Sequence, residues 1–458
     1  MNQPAVNPEW VADLLLRGPG DSVRLRLDRP IDTAALRRSV ARAQDRLRTA
    51  GLVPGGTVAL RLPPSLAYIA FLLAAWRVGA QVGLIDHRLT QHEVDGALER
   101  LGAQYVVDAE SSEGHRLCGY AEVVAGVSAR EGGRPAATDH ALVQFSSGST
   151  GASKVIARTS DDLIAELSRY DRLPEFPRAG ERVVLLSSIV HVLGLVGGLL
   201  NALHTGAELV FPRRLTGEGI LAAVAESDLP TTIIGVPFHA ELLTSIPDPI
   251  PLPQLRRMIV AGELVRPAVP PRFRERFGVP LGTMYGMTEI GVIATDLDGT
   301  RWPSVEPAHG MDLRVSGGEL WIAMPASPYL GAQDPTRFVD GWLCTKDAAE
   351  LDGDRLTVLG RLDSQVSIGG LKVDLTEVEQ AIAALPGVRE AVVLHDGGIQ
   401  AYLSLVDGAT VERVKAALTE TLAPFKRPRR LVVLPALPRT ATGKVVRAPA
   451  ALAAAESA

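Results

Sequence analysis

Cysteine is almost missing from this chain. There are two, Cys118 and Cys344, far apart among 458 residues. Neither a disulfide framework nor a cysteine metal cluster follows, and a reducing, cytoplasmic location is the expectation. Excess charge is also missing. A net charge of −5 gives no electrostatic case for nucleic acid or an anionic membrane surface as partner. The stretch Met1–Trp10 lacks a basic region followed by an apolar core, so no signal peptide is expected. Lysine is scarce. Of 47 basic residues only Lys154, Lys346, Lys372, Lys415, Lys426 and Lys444 are lysines. An ammonium on a flexible stem is not copied by a planar guanidinium, so each remaining lysine is a mild candidate for chemistry. One run, Val183–Ala207, contains no Asp, Glu, Lys or Arg and is long enough to span a bilayer. Its serines, histidines and four glycines argue instead for a buried strand, Arg182–Ile189, then a turn and a core helix from about Leu195.

What is present fits a globular enzyme. Hydrophobic residues are 46% and charged residues 22%, and the length calls for two or more packed units. The most informative stretch is Gln144-Phe145-Ser146-Ser147-Gly148-Ser149-Thr150-Gly151-Ala152-Ser153-Lys154, which follows the apolar run Ala141–Val143. Glycines let backbone N–H groups approach an anion, hydroxyls add donors, and the lysine adds a point charge. The stretch reads as a phosphate cradle or as a polar turn. It is not the common P-loop, because Ser153 precedes the lysine and Val155 follows it.

The rest of the chain alternates. Thr33–Thr49 carries Leu36, Val40, Ala43 and Leu47 on one helical face. A strand is expected over Thr57–Leu62, a helix over Pro64–Val78, a capping box at Thr90–Glu93 opening a helix to about Gly102, and a strand over Gln104–Asp108. Ser111–Thr138 reads as loop. Strands follow at Glu208–Phe211, Thr231–Gly235 and Arg257–Ala261, with a helix around Leu221–Glu226. This alternation implies an α/β protein. From about Leu313 the texture turns to short strands, Glu319–Met324 and Arg355–Leu359 the clearest, as in a small β-barrel-like part. After Asp363 a small α+β unit is expected. It has strands at Gln365–Ile368, Leu371–Val373, Ala391–Leu394 and Ile399–Leu405, a capping box at Thr376 and Glu379, and a helix over Val411–Leu422. The alanine-rich tail, Ala448–Ala458, is expected to fray.

Five further stretches bear on the cradle: Ser188-Ile189-Val190-His191-Val192-Leu193-Gly194, Thr283-Met284-Tyr285-Gly286-Met287-Thr288-Glu289, Trp342-Leu343-Cys344-Thr345-Lys346-Asp347, Gly360-Arg361-Leu362-Asp363, and Pro438-Arg439-Thr440-Ala441-Thr442-Gly443-Lys444. In this order and spacing they resemble the adenylate-forming superfamily of acyl- and aryl-CoA synthetases, nonribosomal-peptide adenylation domains and luciferases. The resemblance covers about Ile31–Arg447 and looks nearest to stand-alone acyl and aryl acid AMP-ligases. It implies a large N-terminal domain, residues 1–362, and a small mobile C-terminal domain, residues 363–458, hinged at Asp363.

The reaction the resemblance implies has two steps. A carboxylic acid attacks the α-phosphorus of Mg-ATP and releases pyrophosphate. The acyl adenylate then passes its acyl group to a thiol of CoA or of carrier-protein phosphopantetheine. Such chemistry needs positioning and charge neutralisation above all. By the resemblance, Ser146, Ser147, Gly148, Ser149, Thr150, Gly151 and Lys154 would cradle the β- and γ-phosphates. Thr288 would reach the α-phosphate and Glu289 would hold Mg2+. Tyr285 and Gly286 would lie along adenine, Gly262 and Glu263 would flank it, and Asp347 would accept the ribose hydroxyls with Arg361 nearby. Lys444 would bridge carboxylate and phosphate in the transition state. His191 and Gly194 would line the acyl tunnel, and Phe238, His239, Met287 and Ile290 the acid pocket. Gly369 and Gly370 would admit the thiol arm in the transfer conformation, with Lys372 either a contact there or a surface residue.

The sequence departs from the family pattern in places. Thr345-Lys346-Asp347 replaces the frequent Thr-Gly-Asp, leaving Lys346 without a role, and Thr283 stands where Gln or Asn often reads adenine. Neither Val190–Gly194 nor Val236–Ala240 offers a carboxylate for an α-ammonium group, which favours an aryl or short acyl acid over an amino acid. The run after Gly369-Gly370 tilts the acceptor slightly toward a carrier protein. The basic run Lys426–Arg430 reads as a solvated turn or as a docking spot for CoA phosphates or an acidic carrier. The rival readings are an amino-acid-activating or amide-forming member, a kinase, and a non-catalytic ATP-binding relative.

Overall fold

The computed structural model describes residues 6–110, 119–146, 154–247, 250–331, 335–362, 364–438, 445–447 and 449–457. These form two compact units. The first is Met1–His87, Leu98–Gln144 and Val155–Gly360; the second is Arg88–Ala97, Phe145–Lys154 and Arg361–Ala458.

The first unit rests on two large, mainly parallel sheets. One runs in the order Ala125–Ala129, Tyr105–Ala109, Thr57–Arg61, Gln81–Leu84, Leu142–Ser146, Lys154–Arg158. The other has nine strands: Glu306–Pro307, Gly291–Asp296, Leu281–Met287, Leu255–Ala261, Thr231–Gly235, Arg182–Leu185, Glu208–Val210, Val23–Arg26 and Pro30–Asp32. Its six inner strands, from Leu281–Met287 to Val23–Arg26, are parallel. The helix Leu66–Val78 shows how sequence sets this packing. Ten of its thirteen residues are buried, so it can have no solvent face and must sit inside the core. Ser65 caps it by accepting from the Tyr68 N–H, and Gly79, at φ +85°, ends it. A five-stranded antiparallel sheet, with Leu313–Ser316, Glu319–Ala323 and Trp342–Asp352 at its centre, supplies the expected run of short strands.

The second unit holds the hairpin Gln365–Ile368 and Leu371–Asp374, and a three-stranded sheet of Val388–His395, Ile399–Leu405 and Arg430–Val433. Val378, Ile382, Val414 and Leu418 of two helices close its core.

Several expectations are corrected. Ala125–Ala129 is not loop but a strand, antiparallel to Tyr105–Ala109. Its small residues carry no hydrophobic alternation, and it is strand because the sheet edge is there to pair with. The strand from Arg182 ends at Leu185, and the helix after it opens at Leu193, π-helical to Leu200. The helix over Leu375–Ala383 is capped by Asp374, not by a Thr376–Glu379 box. The Asp374 carboxylate accepts from the Thr376 N–H at 2.7 Å and the Glu377 N–H at 3.3 Å. Glu379 instead accepts from the Val393 N–H and pairs with Arg447 at 2.6 Å. The tail is a helix, Pro449–Ser457, which buries Leu452 against Val392, Tyr402 and Val432. Lys426 is no solvated turn residue: it is buried, 2.8 Å from Glu377 and 2.9 Å from Glu93. Arg427 donates to the carbonyls of Thr419 and Leu422 at the end of a helix. The Thr90–Glu93 capping box forms as expected, with both reciprocal hydrogen bonds. No helix of the described residues is long and apolar enough to cross a membrane.

Candidate active site

Four adjacent parallel strands of the nine-stranded sheet end side by side. Arg182–Leu185 leads to His191, Thr231–Gly235 to Phe238 and His239, Leu255–Ala261 to Gly262 and Glu263, and Leu281–Met287 to Thr288 and Glu289. In open parallel sheets, ligands bind at the carboxyl ends of the strands. Stretches up to about a hundred residues apart in sequence are thus set along one edge.

The His191 loop is held from several sides. The Tyr68 hydroxyl donates to the Ile189 carbonyl at 3.0 Å, and Gln144 Nε2 to the Val190 carbonyl at 2.6 Å. The His191 N–H donates to the Ser188 carbonyl, and the Leu195 N–H to the His191 carbonyl. Gly194 is required by space: a Cβ there would collide with the carbonyl oxygens of Ser187 and Ser188.

On the next strand end, Val236 donates its N–H to His239 Nδ1 at 3.1 Å. Burial pushes the His239 pKa down to about 4, so the ring is neutral near pH 7. With Nδ1 accepting, the proton of the neutral ring sits on Nε2, which leaves His239 a hydrogen-bond donor. Phe238 meets His239 edge-on at 5.8 Å and is otherwise exposed. Met287 and Ile290 are half-buried and pack against the cluster of Ile156, Ile293 and Leu320. Gly262 has φ +94°, a left-handed conformation that glycine adopts without strain.

Two contacts hold the candidate nucleotide-side residues. Tyr285 donates its hydroxyl to Asp347 Oδ2 at 2.6 Å, and Asp347 is buried. Tyr329 donates to Glu289 Oε1 at 2.9 Å, and both residues are 7% exposed. Nothing in the sequence singled out Tyr329. It arrives because Pro328 and Leu330 hydrogen-bond to the strand Lys154–Arg158, far from it in the chain. The segment that follows Glu289 is held by a buried ion pair, Arg158 to Glu166 at 2.7 Å, and by Arg169. Glu166 also accepts from the Val292 N–H at 3.1 Å, and Arg169 donates to the Ile290 carbonyl at 2.7 Å. A side chain at Gly291 would strike the Glu166 carboxylate. Thr288 and Gly286 are half-buried.

Lys346 now has a structural account. Its φ is +61°, a left-handed position where glycine is the easy choice. Glu319 compensates by accepting from the Lys346 N–H at 2.9 Å and pairing with its Nζ at 3.3 Å.

The other candidates are distributed as follows. Ser146 ends one strand and Lys154 opens its neighbour in the sheet. Ser147, Gly148, Ser149, Thr150, Gly151, Asp363 and Lys444 lie outside the described residues. Arg361 ends the strand Arg355–Arg361. Gly369 and Gly370, at φ +57° and +82°, make the two-residue turn of the hairpin, and Lys372 is exposed beside it. Paired positive φ is what such a tight hairpin turn needs, so these glycines have a backbone reason to be there. For Mg2+ the fit is that of a substrate-bound ion. Among the described residues no cluster of three or more His, Cys, Asp or Glu could hold a metal alone. Magnesium in nucleotide sites is commonly held by one or two carboxylates plus phosphate oxygens, and Glu289 Oε2 is left over from the Tyr329 contact.

The sequence is 28% identical over 463 residues to a feruloyl-CoA synthase from an Amycolatopsis species, covering 90% of this chain and 92% of that one. It is 28% identical to a 4-chlorobenzoate–CoA ligase from an Arthrobacter species, covering 88% and 86%. The fold is similar to that of o-succinylbenzoate CoA synthetase from Bacillus subtilis, with a TM-score of 0.81 at 22% identity over 96% of this chain and 97% of that one. Residues 21–320 match the model of the AMP-binding enzymes, and residues 377–444 that of the AMP-binding enzyme C-terminal domain. The chain belongs to the AMP-binding enzyme family, and so to the adenylate-forming enzymes of the AMP-forming acid–thiol ligase type.

Proposed function

We propose that this protein activates an aryl carboxylic acid with Mg-ATP and passes the acyl group to a phosphopantetheine thiol. The observation that carries the reading is the row of strand ends. It sets the candidate acid-side residues His191 and His239 along the same sheet edge as the candidate nucleotide-side residues Gly262, Thr288 and Glu289. Two of the similar proteins are named for aromatic acids, feruloyl and 4-chlorobenzoyl. A neutral His239 suits an uncharged polar substituent on such an acid better than an anionic one.

In this proposal Glu289, steadied by Tyr329, would hold the Mg2+ that accompanies ATP, and the ion would supply charge neutralisation at the phosphate oxygens. Asp347, oriented by the Tyr285 hydroxyl, accepts the ribose hydroxyls, a task that Arg361 would share. The serines, threonine and glycines of 146–151 with Lys154 hold the phosphates, and Lys444 bridges carboxylate and α-phosphate. The chain divides at Asp363 into an N-terminal domain, residues 1–362, and a C-terminal domain that moves between the two half-reactions. CoA and a carrier protein present the same phosphopantetheine thiol. The run after Gly369-Gly370 tilts the choice slightly to the carrier, whereas the similar proteins named above carry CoA in their names.

The test is acid-dependent pyrophosphate release trapped with hydroxylamine, across benzoic, cinnamic, short-chain and amino acids. An aryl acid giving the highest turnover supports the reading, and an amino acid giving it overturns the substrate class. CoA and a phosphopantetheinylated carrier are then compared as acceptors. Lys444→Ala should lose about 10²–10³ in adenylation while keeping transfer from supplied adenylate. Equal loss in both steps would remove Lys444 from its assigned place.

A further inference from the structure

A carboxylate that no sequence spacing pointed to lies behind His191. Asp86 follows the strand Gln81–Leu84 in the six-stranded sheet and is 7% exposed. Its Oδ2 is 3.6 Å from His191 Nε2. Its Oδ1 is 3.6 Å from Nδ1 of His87. The His191 Nε2 atom is buried and has no hydrogen-bond partner among the described residues, yet the His191 side chain is 42% exposed. The ring therefore stands with Nε2 turned in toward Asp86 and the rest of the imidazole turned out. The backbone around it is fixed by Tyr68, Gln144 and Ser188.

We propose that Asp86 and His191 form a carboxylate–imidazole pair that takes the proton from the acceptor nucleophile in the transfer step. The proposal rests on the two-step ligase reading above and adds a residue role to it. Asp86 favours the tautomer with hydrogen on Nε2, leaving the Nδ1 lone pair facing outward as the base. The 3.6 Å separation is outside hydrogen-bond length, and such contacts commonly tighten when substrate is bound.

The step balances. The acceptor X–H attacks the acyl carbon of the adenylate and forms the X–C bond. The bond from acyl carbon to phosphate oxygen breaks, and AMP departs with that electron pair. The proton of X–H moves to His191 Nδ1, and the imidazolium is stabilised by the Asp86 carboxylate. The exposed edge of the ring then returns the proton to water. His191 is the catalytic group here, and Asp86 a positioning residue that acts through it. General-base assistance of this kind is worth about 10²–10⁴ in rate. A neutral thiol, with an unperturbed pKa of about 8.5, gains from it near pH 7, whereas a thiol already ionised does not.

That difference supplies the experiment. Adenylation is measured as acid-dependent pyrophosphate release, and transfer as single-turnover consumption of preformed adenylate, with a series of thiol acceptors whose pKa values span about 6 to 10. His191→Ala should lower the ratio of transfer to adenylation about 100-fold with the least acidic thiol and only a few-fold with the most acidic. Asp86→Asn, nearly isosteric, should lower it about 10-fold with the same dependence on thiol acidity. Added imidazole should restore part of the His191→Ala loss. Losses that do not vary with thiol acidity and are not rescued by imidazole would overturn the proposal and leave His191 as pocket lining. Absence of adenylation by the unmutated protein with every acid would instead overturn the ligase reading on which it rests.

Discussion

Replacing Tyr329 by phenylalanine removes one oxygen and little else. In the folded protein that hydroxyl donates to Glu289 Oε1 at 2.9 Å, with both groups buried. A hydrogen bond to a charged group contributes about 1.5–3 kcal/mol, and phenylalanine leaves the carboxylate oxygen desolvated and without that donor. The carboxylate is then free to rotate away from the geometry a metal needs. Loss of such an orienting partner typically costs about 10–100-fold in metal affinity or activity. The expected outcome for Tyr329→Phe is therefore a half-saturating Mg2+ concentration about 10-fold higher for pyrophosphate release at fixed ATP. Excess Mg2+ should restore part of the rate. The measurement is a magnesium titration of pyrophosphate release, run beside a denaturant unfolding curve. A stability loss of about 1 kcal/mol or more with an unchanged magnesium titration would refute the reasoning. Tyr329 would then be a packing residue and Glu289 would not be the metal carboxylate.

Three further outcomes follow from other contacts. His239 is held neutral by burial, with its pKa lowered to about 4 from an ordinary 6.5. A depressed folded pKa gives stability that is whole above about pH 6.5 and lost as pH falls toward about 4, here up to about 3 kcal/mol. His239→Gln, which can still accept from the Val236 N–H, should flatten that part of the stability–pH curve, and an unchanged slope would show that His239 is not its source. Lys426→Met should leave Glu93 and Glu377 facing each other without their cation and cost about 3–5 kcal/mol by chemical denaturation, where a loss under about 1 kcal/mol would mark the pair as solvated. Lys346→Gly should relieve a left-handed backbone position worth about 1–2 kcal/mol, less the extra unfolded-state freedom of glycine and the Glu319 ion pair. The net change should stay within about 1 kcal/mol, and a larger loss in the unfolding midpoint would show that Glu319 and Lys346 do more than offset strain.

Local signals in the sequence were read most faithfully where one short segment holds its own cause. The Thr90–Glu93 box, the strand Thr231–Gly235, and the two strands on either side of Gly369-Gly370 all formed where expected. What escaped was set by partners far away in the chain. Ala125–Ala129 becomes a strand only because Tyr105–Ala109 offers an edge. The tail is ordered as a helix because Leu452 has a hydrophobic cluster to enter. Asp374 displaced Thr376 as the cap because the preceding strand delivers its carboxylate to the helix start. The same holds at the candidate site. His191, Glu289 and Asp347 were named as candidates from their motifs, while the contacts they make with Asp86, Tyr329 and Tyr285 required the fold.

The central claim is that this chain makes an acyl adenylate reversibly. The most direct measurement is exchange of labelled pyrophosphate into ATP, with and without an aryl carboxylic acid, together with identification of the nucleotide product under turnover. Acid-dependent exchange with AMP as the product is the predicted result. Exchange that ignores the acid, or ADP in place of AMP, would contradict the account.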